Sequence, residues 1–265
     1  MAAKTRGLVG AILLASCATM TTQITPAVRA DLASTGKIRA GVNYGNAILA
    51  TKDKTSGESR GVAVDLLTEL GSRLGVPVDI VAYDSVAVMG DAAPTNVWDI
   101  AFLGSDPLRE NLMSFTAAYL EIEATYLVAG SSALRTAAEV DRAGVRVAAP
   151  ARANYELYLR RNLKNAELVS AQGGDAAFEL LATGKVDALA GLTQGLTALH
   201  AKLPGSRIVE GRFMAVQQSI AVPKGRDAGL AYLRGVVEDA KASGLVARAI
   251  ERTGAPGVTV APPAK

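Results

Sequence analysis

The sequence predicts an α/β fold, and three observations carry the prediction. Strand-type runs and amphipathic helical runs alternate from Ile38 to Ile250, the pattern of helices packed on a sheet. The 265 residues suffice for one large or two modest domains with cores of their own. The apolar run Val97 to Leu103 stops abruptly at the turn-formers Gly104-Ser105-Asp106-Pro107, as a buried strand does at the edge of such a sheet.

The first thirty residues read as an export signal rather than as fold. Lys4 and Arg6 precede an apolar run, Gly7 to Ala15, that is too short to span a bilayer. Val28-Arg29-Ala30 approximates the small-x-small cleavage rule and suggests a cut after Ala30. Leu14-Ala15-Ser16-Cys17 offers a second possibility, since it resembles a bacterial lipobox in which Cys17 becomes the lipidated N-terminus. Both imply a periplasmic product, in the second case anchored to the membrane. Cys17 is the only cysteine, which excludes an intramolecular disulfide and a thiolate metal site. The leader holds Lys4, Arg6 and Arg29 and no acid, so the formal charge of +3 belongs to it alone. A body with balanced charge lacks the concentrated basic face that nucleic acid requires.

Ile38 to Val42 reads as the first strand, followed by Asn43-Tyr44-Gly45-Asn46, either a plain turn or a cleft wall built from amides and the Tyr44 ring. Lys52 to Arg60 reads as a surface hairpin. Leu66, Leu67, Leu70 and Leu74 fall on one face of a helix that starts near Gly61 and ends at Gly75-Val76-Pro77. Asp65 suits the positive end of that helix. Val78 to Tyr83 is a strand, Ser85 to Asn96 a short helix or loop, and Trp98 a core residue at the start of the central strand.

Arg109 lies just beyond that strand, where ligands sit in open α/β sheets, and its planar fork matches a carboxylate. The alternative is a surface arginine paired with Asp106 or Glu110. Past the β-rich Ala124 to Val128, a change of composition suggests a crossing into a second lobe. That lobe contains strands at Val145 to Ala149 and Ala166 to Ser170, helices at Tyr155 to Leu163 and Asp175 to Ala182, and a strand near Asp187 to Gly191. Pro150 to Asn154 leads into a helix whose first amides suit an anion. Asn154 and Tyr155 are candidates there, Arg152 a weaker one; a helix cap and simple packing are the alternatives. Met214 to Val222 makes the return crossing. Leu230 to Ile250 is an amphipathic helical region broken at Ser243-Gly244, and Ala255 to Lys265 a flexible tail.

Three segments together resemble the family 3 extracellular solute-binding proteins, the periplasmic receptors of ABC importers. They are Asp99-Ile100-Ala101-Phe102-Leu103-Gly104, Asp106-Pro107-x-Arg109, and Ser114-Phe115-Thr116-x-x-Tyr119. Gly61-x-x-x-Asp65-Leu66 and the strand Gly184 to Gly191 extend the resemblance over residues 34 to 252. It implies a two-lobe periplasmic-binding-protein fold of type II, each lobe a mixed sheet flanked by helices, joined by two hinge crossings. Lobe 1 would be residues 31–127 and 224–254, and lobe 2 residues 128–223. The implied function is a monomeric receptor that closes on a small carboxylate-bearing solute, an amino acid or related organic acid, and delivers it to a membrane permease. Implied ligand contacts are Arg109, Asn43, Tyr44, Gly104, Asp106, Asn154, Tyr155, Thr193 and Gln194. The family commonly places an acid where this chain has Leu192, which leaves a ligand ammonium without a counter-charge. No cofactor, metal or catalytic residue is expected. The rival class is a secreted enzyme on the same fold, of cyclohexadienyl dehydratase type, with Glu121 and Glu123 as the nearest acids. A ligand-sensing receptor that takes no part in transport is a third option.

Overall fold

The computed structural model describes residues 23–265. Cys17 and the apolar part of the leader lie outside them. In chain order, the first half comprises α1 (Pro26–Leu32), β1 (Ile38–Asn43), the hairpin β2 (Thr51–Lys52) and β3 (Ser59–Arg60), and α2 (Val62–Leu74). It continues with β4 (Val78–Tyr83), α3 (Val86–Asp91), β5 (Ile100–Gly104), β6 (Met113–Phe115) and β7 (Leu120–Ala129). There follow β8 (Arg146–Pro150), α4 (Asn154–Asn162), β9 (Glu167–Ala171), α5 (Gly174–Ala182), β10 (Ala188–Leu192), α6 (Thr193–Lys202) and β11 (Ser206–Ile208). The chain returns through β12 (Met214–Pro223) and ends with α7 (Asp227–Ala242), α8 (Leu245–Thr253) and β13 (Val258–Val260).

One curled sheet in the order β4-β1-β5-β12-β7-β10-β8-β9 runs through the whole molecule. Strands β4, β1 and β5 are parallel at one end and β10, β8 and β9 at the other. The antiparallel pair β12 and β7 joins the two ends. Each end has helices on both faces, so its strands read as continuous apolar runs. On β5, Ile100 and Phe102 enter the core under α2, α7 and α8, while Ala101 and Leu103 enter the one under α3. On β7, Tyr126 and Val128 face α4, and Leu127 faces α5 and α6. These are two mixed-sheet lobes with two strand crossings, the architecture expected.

The α2 stripe behaves as its period requires: Leu66, Leu67, Leu70 and Leu74 are all buried. Gly75 ends the helix in the left-handed region at φ 64°, which costs a glycine little. Gly244, at φ 76°, makes the break between α7 and α8. Three expectations change. The central strand begins at Ile100, not Val97, and Asp99 just before it sits in a buried ion triad. Its carboxylate accepts from Arg39 Nη2 at 2.8 Å and Arg226 Nη1 at 2.9 Å, tying β1 to the return of the chain. The tail is not wholly loose, since β13 pairs antiparallel with β7, Val258 opposite Ile122 and Val260 opposite Leu120. The cut expected after Ala30 would fall inside α1. That helix is capped by Thr25 and buries Val28 and Leu32, and its Asp31 accepts from the Gly229 amide at 2.8 Å.

Candidate functional site

In both lobes the carboxyl ends of the parallel strands point toward the β12–β7 junction. Open α/β sheets bind ligands outside those ends. A crevice of about 500 Å³ opens there, a volume suited to a small organic molecule. Lobe 1 contributes Asn43 at the end of β1, Asn46, Ser85, Phe102 and Gly104. Lobe 2 contributes Arg152, Asn154, Tyr155, Gln172, Gly173 and Leu192. Val216 and Gln218 of β12 form the floor.

Lobe 2 presents two helix starts to this space. Neither Ala153 before α4 nor Gly173 before α5 supplies a capping side chain. The first amides of both helices therefore carry positive partial charge with no side-chain acceptor. Glu156, in the first turn of α4, turns its carboxylate inward onto Ser170 Oγ at 2.7 Å and the Arg152 amide at 3.0 Å, away from the crevice. The residue that delivers the chain into α4, Arg152, adopts φ 63°, a left-handed conformation seldom taken by a non-glycine residue.

Arg109 stands behind the crevice, not in its wall. It is 8% exposed, and three of its five N–H groups are committed to the protein. Nη1 donates to Gly104 O at 2.7 Å and to Asn154 Oδ1 at 2.6 Å, and Nη2 donates to Arg152 O at 2.9 Å. Because Gly104 belongs to lobe 1 and the other two acceptors to lobe 2, the guanidinium joins the lobes. Burial lowers its pKa to about 10; nearby Asp106 opposes the shift and the charge of Arg152 adds to it.

Further polar contacts close the same edge. Asn154 Nδ2 donates to Ser105 O at 3.0 Å, and Arg161 of α4 grips Asp106 with both Nη atoms, the nearer at 2.7 Å. Arg152 reaches Asp91 of α3, Nη1 to Oδ2 at 2.7 Å, and holds that carboxyl below the usual range. A β-carbon on Gly104 would lie 2.6 Å from the Asn154 amide, which shows how closely the lobes meet.

Of the residues proposed from the sequence, Asn43, Gly104, Asn154 and Tyr155 line the crevice. The Tyr155 hydroxyl is pushed up by burial and holds its proton. Tyr44 does not line it; its hydroxyl meets Ser59 Oγ at 2.5 Å and its ring packs on the lobe 1 core. Asp106 is taken by Arg161, and Thr193 Oγ1 donates to Glu123 O at 3.1 Å. Gln194 stands one step back, Nε2 3.4 Å from Asn46 Oδ1. Of the acids considered for catalysis, Glu121 accepts from Gln217 Nε2 at 2.9 Å and Glu123 pairs with Arg212 at 3.1 Å; neither lines the crevice.

Sequence reasoning missed Gln218 and the pairing of Arg152 with Asp91. Gln218 left a signal: it shares the Val216, Ile220 and Val222 face of an apolar strand, where a lone amide is out of place. Among the described residues no group of acids and histidines could hold a metal ion, and no helix is long and apolar enough to cross a membrane.

No curated protein sequence matches the chain. Solved structures do. Superposition on a P235GK mutant of ArgBP from T. maritima gives a TM-score of 0.70 at 23% identity, covering 86% of this chain and 99% of that one. The ancestral amino acid-binding protein AncCDT-1, described as a precursor of cyclohexadienyl dehydratase, gives 0.67 at 22% identity, covering 83% and 95%. The amino acid ABC transporter substrate-binding protein AbpA from Streptococcus pneumoniae, bound to L-arginine, gives 0.70 at 19% identity, covering 84% and 96%. At such identities the likeness establishes the shared two-lobe fold. The sequence profile of one family reaches further, matching residues 38–254, from the first residue of β1 past the end of α8: the chain belongs to the bacterial extracellular solute-binding proteins, family 3.

Proposed function

We propose that this chain is the exported receptor of an ABC importer and that its two lobes close on one small carboxylate-bearing solute, an amino acid or a related organic acid. The observation that carries this reading is the crevice itself, set between two lobes and faced by the uncapped starts of α4 and α5. A carboxylate docked on those amides would occupy a ready-made anion site. It would not need the Arg109 fork, whose bonds to Gly104, Asn154 and Arg152 give it the role of a latch between the lobes. Amides from Asn43, Asn46 and Gln218 then orient the rest of the molecule. Family membership supports a binding role, and AbpA, an ABC transporter component, supports a permease partner. The mature chain acts as a monomer. Its leader ends upstream of Thr25, because α1 is part of the lobe 1 core.

A thermal-shift screen of carboxylates tests the proposal. A ligand present at 100 times its dissociation constant adds about 2.7 kcal/mol, a rise of roughly 5–10 °C for a chain of this size. A screen of amino and organic acids in which no compound moves the transition refutes it. Turnover of prephenate or arogenate by the purified protein would instead establish the dehydratase alternative.

A further inference from the structure

The floor of the crevice holds a polar group that the protein leaves unanswered. Gln218 is 4% exposed, and its Oε1 has no hydrogen-bond partner among the described residues. Its neighbours in the sheet are Gly104 on β5 and Leu120 on β7, neither of which has a polar side chain to offer. A buried amide of this kind is costly unless something meets it. Gln218 lines the space where a solute would lie, as do Val216 and Leu192.

A second amide repeats the pattern. Gln194 Oε1 is also buried and without a partner, while its Nε2 rests 3.4 Å from Asn46, another crevice residue. The two oxygens are acceptors that carry no formal charge. The acids of the crevice do not add to them: Asp91 is engaged by Arg152, and Asp84 is exposed at the rim. An ammonium brought to this floor would trade its hydration for neutral amide oxygens and apolar side chains, with no counter-charge. A hydroxyl or an amide N–H asks only for one neutral acceptor.

We infer that Gln218 determines specificity in this receptor. It selects a carboxylate whose adjacent carbon bears an uncharged donor, a hydroxyl or an acylated nitrogen, over one that bears an ammonium. The inference rests on the reading of the crevice as a carboxylate-solute site and narrows it to hydroxy acids and N-acyl amino acids. The hydroxyl or N–H of the solute donates to Gln218 Oε1, and the other end of the same amide is left to donate to a solute oxygen.

Calorimetry on the mature protein, unfolded and refolded to free it of carried-over ligand, decides the matter. The probes are matched sets sharing a side chain: L-leucine, 2-hydroxy-4-methylpentanoate and N-acetyl-L-leucine, with the corresponding sets for phenylalanine, glutamine and arginine. In the set that binds, the hydroxy or acetyl compound should bind at least tenfold more tightly than the amino acid. Gln218→Leu should abolish that preference, and Gln218→Glu, which supplies a charge, should shift it toward the amino acid. If the amino acid binds best and Gln218→Leu leaves its affinity unchanged, the receptor reading survives and the role of Gln218 is overturned. If no member of any set binds, both fall together.

Discussion

Replacing Arg109 with methionine preserves most of its volume but removes the charge and every donor, and the consequence can be worked from its bonds. Two of its three hydrogen bonds, to Asn154 Oδ1 and Arg152 O, run between the lobes. Bonds from a charged donor contribute about 1.5–3 kcal/mol each, and water replaces part of that when the lobes part. Allowing for the exchange, the pair favours the closed form by about 3 kcal/mol. That is roughly 150-fold in the ratio of closed to open molecules. Small-angle scattering of the unliganded protein reads the change directly. Wild type should remain near the radius of gyration of about 18 Å expected for a compact chain of ~240 residues. Arg109→Met should be measurably larger and should return to the compact value at saturating ligand. Its apparent affinity falls by the fraction of molecules left closed. The reasoning fails if the variant scatters like wild type yet no longer binds. Such a result would make the guanidinium a direct ligand contact.

Three further outcomes can be checked. Asp99→Asn breaks a buried ion triad and should cost about 3–5 kcal/mol, roughly 10 °C in the melting temperature. Burial alone would raise the Asp99 pKa, but the bonds from Arg39 and Arg226 outweigh it and hold the folded value below the usual range. Its stabilisation is therefore complete above about pH 4 and lost as pH falls through the folded pKa, so the melting curves of variant and wild type should converge in acid. Gly104→Ala would drive a β-carbon into the Asn154 amide, and titration calorimetry should show affinity about tenfold weaker with little change in melting temperature. Cys17→Ser should abolish metabolic labelling with palmitate and release the protein from the membrane fraction; a labelled variant, or an unlabelled wild type, refutes the lipoprotein form.

What could be read in advance was what local chemistry writes. The leucine stripe of α2 and the glycine that ends it were legible because both signals lie within a few residues. The crevice residues Asn43, Gly104, Asn154 and Tyr155 were legible for a related reason, since each stands at a strand end or helix start. The Asp99 triad was not, because Arg39 and Arg226 lie 60 and 127 residues away and only the sheet brings them together. Arg109 shows the same limit in sharper form. Its place beyond β5 followed from the motif, but the acceptors that claim it, Arg152 O and Asn154 Oδ1, belong to the other lobe. The docking of β13 escaped notice because a Gly- and Pro-rich tail carries no period, and what captures it is the open edge of β7.

That edge has a mechanical consequence. One rim of β7 is covered by β13 and the Gly257 carbonyl as far as Glu123 and by β10 from Ala124 onward, so the two neighbours abut there and neither crosses the seam. Rotation of one half against the other at this point stretches no ladder along that rim. Swinging shut thus draws on backbone pairing only along the other rim, where β12 runs past Glu123, and the rest of the balance between shut and ajar is left to a handful of side chains, small enough for a captured metabolite to tip.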